Sequence, residues 1–138
     1  MAAAPTPWRG LDALAPGTKG AFACAVVEDR SSHAAGPLDR LPVLYVRGAN
    51  PGPTLLCFAG VHGDEFEPMA AVHDFYRALD PAAMTGSWVC VACAGVSGYL
   101  AANRLGSDGK NLARCFPGSA DGTLTERVAH TLQRDFLE

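Results

Sequence analysis

Within Gly60-Val-His-Gly-Asp-Glu65, His62 and Glu65 are the pair whose residue types and spacing could do chemistry. An imidazole nitrogen and a carboxylate oxygen are both zinc ligands. When the His ends a strand and the Glu follows three residues on in the turn, the two side chains converge on one point. Gly60 and Gly63 relieve the backbone crowding that this bend requires. The same H-x-x-E pattern has a plainer use, since a His and an acidic residue at a strand-to-helix turn also cap the helix, and spacing alone leaves both readings open.

Position favours the metal. The run Leu55-Leu-Cys-Phe-Ala59 reads as a strand buried on both faces that stops at Gly60. His62 and Glu65 then fall just past the carboxyl end of a central strand, where open α/β sheets place their ligands.

A catalytic zinc takes three protein ligands and a water. His73 lies on the helix that follows, and its rise above Glu65 is about 12 Å, too far to share one ion. His130 points away from the apolar stripe Leu124, Val128, Leu132 and Phe136, and so toward solvent. His33, in a polar loop upstream, stays open. Of five cysteines, an odd count, four lie in apolar runs and read as reduced core thiols. Cys90-Val-Ala-Cys93, read as part of a strand, places its sulfurs on opposite faces, which makes neither a zinc knuckle nor a redox pair.

The glycine-rich segment 103–118 carries Arg104, Asn111 and Arg114. A single loop arginine is simply solvated. Two of them around an Asp-Gly turn, near a suspected metal, suit a carboxylate clamp and a carbonyl polariser.

The elements that must position these residues follow from periodicity. Ala21–Glu28 and Leu41–Val46 read as strands, and Gly48–Pro53 as a turn into the buried run. An amphipathic helix begins between Asp64 and Glu67, as Pro68 requires, and runs to about Leu79 with Met69, Val72, Phe75 or Tyr76, and Leu79 inward. Ser87–Ala94 is another buried strand, so the order suggests parallel βαβ organisation. Segment 95–122 is mostly irregular, and such long loops are usually functional. Thr123 and Glu126 are spaced as a capping box opening a last helix.

A chain of 138 residues with 49% hydrophobic and 18% charged residues is long enough for one core. Its net charge of −3, without a Lys/Arg cluster, gives no footprint for nucleic acid or an anionic membrane. Neither a signal-like N-terminus nor a run of about 20 apolar residues is present, so the expectation is cytoplasmic.

The motif Gly60-Val-His-Gly-Asp-Glu65, followed by Arg104 and then Asp108-Gly-Lys-Asn-Leu-Ala-Arg-Cys-Phe-Pro-Gly118, resembles the succinylglutamate desuccinylase and aspartoacylase family, which belongs with the zinc carboxypeptidases. The resemblance covers residues 41 to 118. It implies an α/β fold with a zinc carboxypeptidase-like central mixed or parallel sheet flanked by helices, truncated at the C-terminus. It also implies His62 and Glu65 as zinc ligands, Arg104 as the catalytic group polarising the scissile carbonyl, and Arg114 with Asn111 as substrate-binding residues. Ala113 stands where the family has Asn, and Asn111 where many members have Asp, which removes one donor from the carboxylate clamp.

The family's third ligand, a later His, and its catalytic Glu have no counterpart before Glu138. The chain therefore reads as one incomplete catalytic domain over 1–138, with a loop-rich arm over 1–20. The implied activity is zinc-dependent hydrolysis of an N-acyl amino acid amide, a small-molecule partner. A zinc carboxypeptidase and a catalytically silent fragment or binding module are the alternatives.

Overall fold

The computed structural model describes residues 11, 13–26 and 40–138. The described residues form four strands, β1 Thr18–Ala25, β2 Arg40–Arg47, β3 Asn50–Phe58 and β4 Thr85–Val91; β1 starts three residues before the expected Ala21. They form one mixed sheet in the order β1-β2-β4-β3, with β1–β2 and β2–β4 antiparallel and β3–β4 parallel. Among the described strands β3–β4 is the one parallel pair, because helix α1, Phe66–Ala78, makes the crossover between them. Strand β1 begins at Thr18, paired with Arg47, so the last residues of the expected arm are already sheet.

Both faces of β2 and β4 are buried, and this divides the core in two. Leu41 and Val43 with Val89 and Val91 face a cluster closed by Val128, Leu132 and Phe136. Leu44 and Val46 with Trp88 and Cys90 face Met69, and Val72, Tyr76 and Leu79 of α1 pack on that side. Helices therefore cover both faces of the sheet, giving an α/β/α arrangement. Helix α3, Leu124–Leu132, supplies the first cover and ends in a π-helical turn, Gln133–Leu137.

Strand β3 departs from the expectation of a strand buried at the sheet centre. Among the described residues it pairs with β4 alone, and Leu55 is 60% exposed. Its apolar run does reach both clusters, through Leu56 and Phe58 on one face and Cys57 on the other. An apolar run reports that two faces need cover, whereas the place in the strand order depends on pairing. The expected turn at Gly48–Pro53 is also shorter, since β3 pairing opens at Asn50 and resumes at Thr54 after a register shift.

Two basic side chains on the strands tie distant segments together. Lys19 Nζ donates to the carbonyls of Tyr76, Arg77 and Leu79 at 3.0, 3.2 and 2.8 Å, and so caps the C-terminal end of α1. Arg47 donates to the Leu11 carbonyl at 2.7 Å and to that of Leu14, holding the chain before β1 against the sheet. Of the arm's apolar residues Trp8, Leu11 and Leu14, Leu11 is buried and Leu14 packs against the core. Trp8 lies outside the described residues.

Candidate metal and substrate site

Parallel pairing brings the ends of β3 and β4 side by side, and the backbone keeps them joined beyond the strands. The Ala59 N–H donates to the Val91 carbonyl at 2.9 Å, Ala94 N–H to Ala59 at 2.9 Å and Gly95 N–H to Gly60 at 2.7 Å. Gly60 turns the chain with φ +56°, and a Cβ there would lie 2.8 Å from Met69 Sδ of α1. At Gly63 a Cβ would fall 2.0 Å from the Gly98 carbonyl carbon and 2.1 Å from the Tyr99 nitrogen. The loop after β3 is thus pressed directly on the short helix α2, Val96–Leu100.

His62 and Glu65 leave this loop facing each other, with His62 Nδ1 2.8 Å from Glu65 Oε1. Arg104 Nη1 donates to the same oxygen at 3.2 Å. Glu65 stands at the N-cap of α1, yet its side chain makes no capping hydrogen bond. Of the two readings of H-x-x-E, the helix cap is therefore not what this carboxylate does. The hydrogen bond from His62 holds the Glu65 carboxyl below the usual range; partial burial opposes this, while the charges of His62 and Arg104 add to it.

On the opposite side of the ring, His62 Nε2 lies 3.1 Å from Asn111 Oδ1. That oxygen also accepts the Ala113 N–H at 3.0 Å, which sets the orientation of the amide. Asn111 Oδ1 is an acceptor, so Nε2 carries the proton and Nδ1 is left to meet a cation or a proton shared with Glu65. The His62 side chain is 13% exposed, against 42% for Glu65 and 53% for Arg104. Solvent reaches the site from the Glu65 and Arg104 side.

The structure thus gathers His62, Glu65, Arg104 and Asn111. Arg114 is exposed, in a 3-10 turn Leu112–Arg114, and its guanidinium makes no hydrogen bond or ion pair among the described residues. The Asn111 amide nitrogen likewise keeps its donors available. His73 is exposed on α1 and His130 half-buried on α3, and the hydrogen-bond partners of His62 among the described residues are Glu65 and Asn111 instead. His33 lies outside the described residues. Among the described residues no group of three or more His, Cys, Asp or Glu side chains could hold a metal.

Cys90 and Cys93 do not fall on opposite faces as strand alternation predicts. Strand β4 ends at Val91, so face alternation does not carry through to Cys93, and Cys90 and Cys93 line the same core cluster. Both thiols are free, and burial pushes them up to about 12 and about 11, which leaves them protonated and inert.

Two features of the surroundings escaped the sequence reading. Asp108, read only as part of a turn, accepts the Thr125 hydroxyl at 2.6 Å and the Thr125 N–H at 2.9 Å, in the first turn of α3. Burial would raise its carboxyl, but hydrogen bonds from Thr123, Thr125 and the Lys110 backbone outweigh that and bring it to about 2. Phe66 and Tyr99, both exposed, meet edge to face at 5.9 Å beside Glu65. A glycine-spaced loop and a helix start carry no local signal that they touch.

The succinylglutamate desuccinylase/aspartoacylase catalytic domain model matches residues 51–138. An N-α-acetyl-L-2,4-diaminobutyric acid deacetylase from Halomonas elongata is 35% identical over 95 residues, which are 68% of this chain and 28% of that protein. Among solved structures, an aspartoacylase family protein from Mesorhizobium loti superposes with a TM-score of 0.75 at 30% identity, over 88% of this chain and 37% of its own. The product-bound ectoine utilization protein EutE (DoeB) from Ruegeria pomeroyi gives 0.70 at 29% identity, over 90% and 38%. This chain spans well under half the length of each.

Proposed function

We propose that this chain, which belongs to the succinylglutamate desuccinylase/aspartoacylase catalytic-domain family, carries two ligands and the carbonyl-polarising group of a zinc-dependent deacylase acting on N-acyl amino acids. The observation that carries the reading is the 2.8 Å approach of His62 Nδ1 to Glu65 Oε1, a nitrogen and an oxygen donor converging beyond the end of β3. The donor chemistry fits zinc.

His62 would bind through Nδ1, because Asn111 holds the proton on Nε2. Glu65 would bind through the carboxylate that now engages His62 and Arg104. Bound zinc supplies Lewis-acid polarisation of the acyl carbonyl and a water made acidic enough to attack at neutral pH. With Glu65 serving as a ligand, Arg104, which now donates to that carboxylate, would be free to stabilise the oxyanion of the attacked amide carbonyl. Arg114 and the Asn111 amide nitrogen would hold the carboxylate of the amino acid. Among the described residues no third ligand stands beside His62 and Glu65.

The Halomonas relative's name specifies an N-α-acetylated diamino acid, and an N-acetyl amino acid of that class is the substrate proposed here. Zinc analysis of the purified chain beside a His62→Ala variant tests the metal. Products from N-acyl amino acids and from peptides, measured on the full-length protein, test the reaction. Release of a carboxylic acid and a free amino acid from the first panel is the expected result. Cleavage of C-terminal residues from the second would replace the deacylase with a carboxypeptidase, and zinc retained by His62→Ala would remove the site. Full-length protein that holds zinc but turns over neither panel would leave a binding module.

A further inference from the structure

We propose that Asp108 is a positioning residue of this site, acting on His62 through Asn111. Its carboxylate binds one end of the 106–114 loop to the first turn of α3. Asp108 Oδ1 accepts the Thr125 hydroxyl at 2.6 Å and the Lys110 N–H at 3.2 Å, while Oδ2 accepts the Thr125 N–H at 2.9 Å. Lys110 Nζ adds an ion pair to Glu126 Oε1 at 2.7 Å, one residue further along the same turn. The loop lies so close that a Cβ on Gly106 would fall 2.2 Å from Thr125 Oγ1.

Asn111 follows three residues after Asp108, and Leu112, 4% exposed, anchors the other side of it in the core. Between these two anchors the Asn111 amide is held at 3.1 Å from His62 Nε2. Asp108 touches neither His62 nor Glu65, yet the loop cannot lift from α3 without carrying Asn111 Oδ1 off the imidazole. A carboxylate that served only α3 would need the Thr125 N–H alone. This one binds the hydroxyl of the same residue and the loop's own Lys110 N–H as well, so it closes the loop against the helix.

The effect on zinc rests on the deacylase reading above; the effect on the ring does not. The test uses the metal-free chain, labelled with nitrogen-15, and reads the rate at which the His62 Nε2 proton exchanges with solvent. Asp108→Ala should speed exchange about fivefold, the factor that an ordinary net hydrogen bond corresponds to. Asn111→Ala should do the same, and the double variant should be no faster than Asn111→Ala, because both act on one contact. Thr125→Val, nearly isosteric and lacking only the hydroxyl, should shift the rate in the same direction by a smaller factor.

Exchange in Asp108→Ala within twofold of the unaltered chain, or effects that multiply in the double variant, would overturn the proposal. If Asp108→Ala does not fold, an unchanged rate in Thr125→Val overturns it instead. A zinc titration run alongside should show about tenfold weaker binding in Asp108→Ala. No zinc binding by the unaltered chain would sink the metal reading while the exchange result still decides the role of Asp108.

Discussion

Asn111 Oδ1 sits between His62 Nε2, at 3.1 Å, and the Ala113 N–H, at 3.0 Å. One carboxamide oxygen thereby engages Nε2 and leaves Nδ1 facing Glu65. Because the oxygen is neutral, it holds the Nε2 proton without drawing it away, as a carboxylate in its place would tend to do.

Replacing Asn111 with Ala should therefore weaken zinc binding about tenfold. Asn111→Asp, which keeps the acceptor and adds charge, should bind at least as tightly as the unaltered chain. Competition titration against a zinc chelator separates the two. Equal affinities for Asn111→Ala and the unaltered chain would show that the ring needs no such partner.

Gly63→Ala should be among the most damaging single methyl additions, at a cost of several kcal/mol, because the new Cβ meets backbone atoms of Gly98 and Tyr99 that cannot swing aside. Gly109→Ala is the contrast: its φ of +74° strains an alanine, but nothing lies within 4 Å. It should cost only about 1 kcal/mol. Urea denaturation midpoints compare them, and the reverse order would be incompatible with the close approach of the 60–65 loop to α2.

The Asp108 carboxyl is lowered from 3.8 to about 2 in the folded chain. A depressed folded-state pKa contributes stability that is fully present above the unfolded value. That contribution drains away as pH falls from about 4 to about 2. Asp108→Asn should accordingly be less stable than the unaltered chain at pH 6, by up to about 2 kcal/mol, with the gap closing as the pH approaches 2. Parallel denaturation curves at stepped pH read this directly, and a gap independent of pH would mean that the loss is packing and not charge.

Lys19→Met keeps the aliphatic stem but removes three donors from the end of α1, and with them the ammonium 5.1 Å from the Tyr76 ring centre. Loss of a partly solvated cap of this kind should cost about 1 kcal/mol. Amide hydrogen exchange should rise first in the last turn of α1, at Tyr76 to Ala78. Unchanged protection there would show that the helix end is held by its own packing.

Local signals carried the sequence reading a long way. Pro68 and the Met69, Val72, Tyr76, Leu79 spacing locate helix Phe66–Ala78 to within its first turn. The capping box is formed as read, with Glu126 accepting the Thr123 N–H at 2.9 Å. Both features are decided inside one or two helical turns, where neighbouring residues hold all the information. Cys93 shows the limit of the same logic: alternation holds only while the strand lasts, and β4 stops two residues earlier.

By itself the sequence determined an α/β chain whose His62 and Glu65 follow an apolar strand, and whose second motif brings Arg104, Asn111 and Arg114. Periodicity and spacing suffice for that, because each reports on backbone a few residues long. Only the tertiary structure decided that β3 has β4 as its sole described neighbour, that Glu65 turns to His62 and Arg104 instead of capping α1, and that Asp108 reaches Thr125 seventeen residues on. Those contacts join segments whose approach is set by how helices and strands pack, so no window of neighbouring residues contains them.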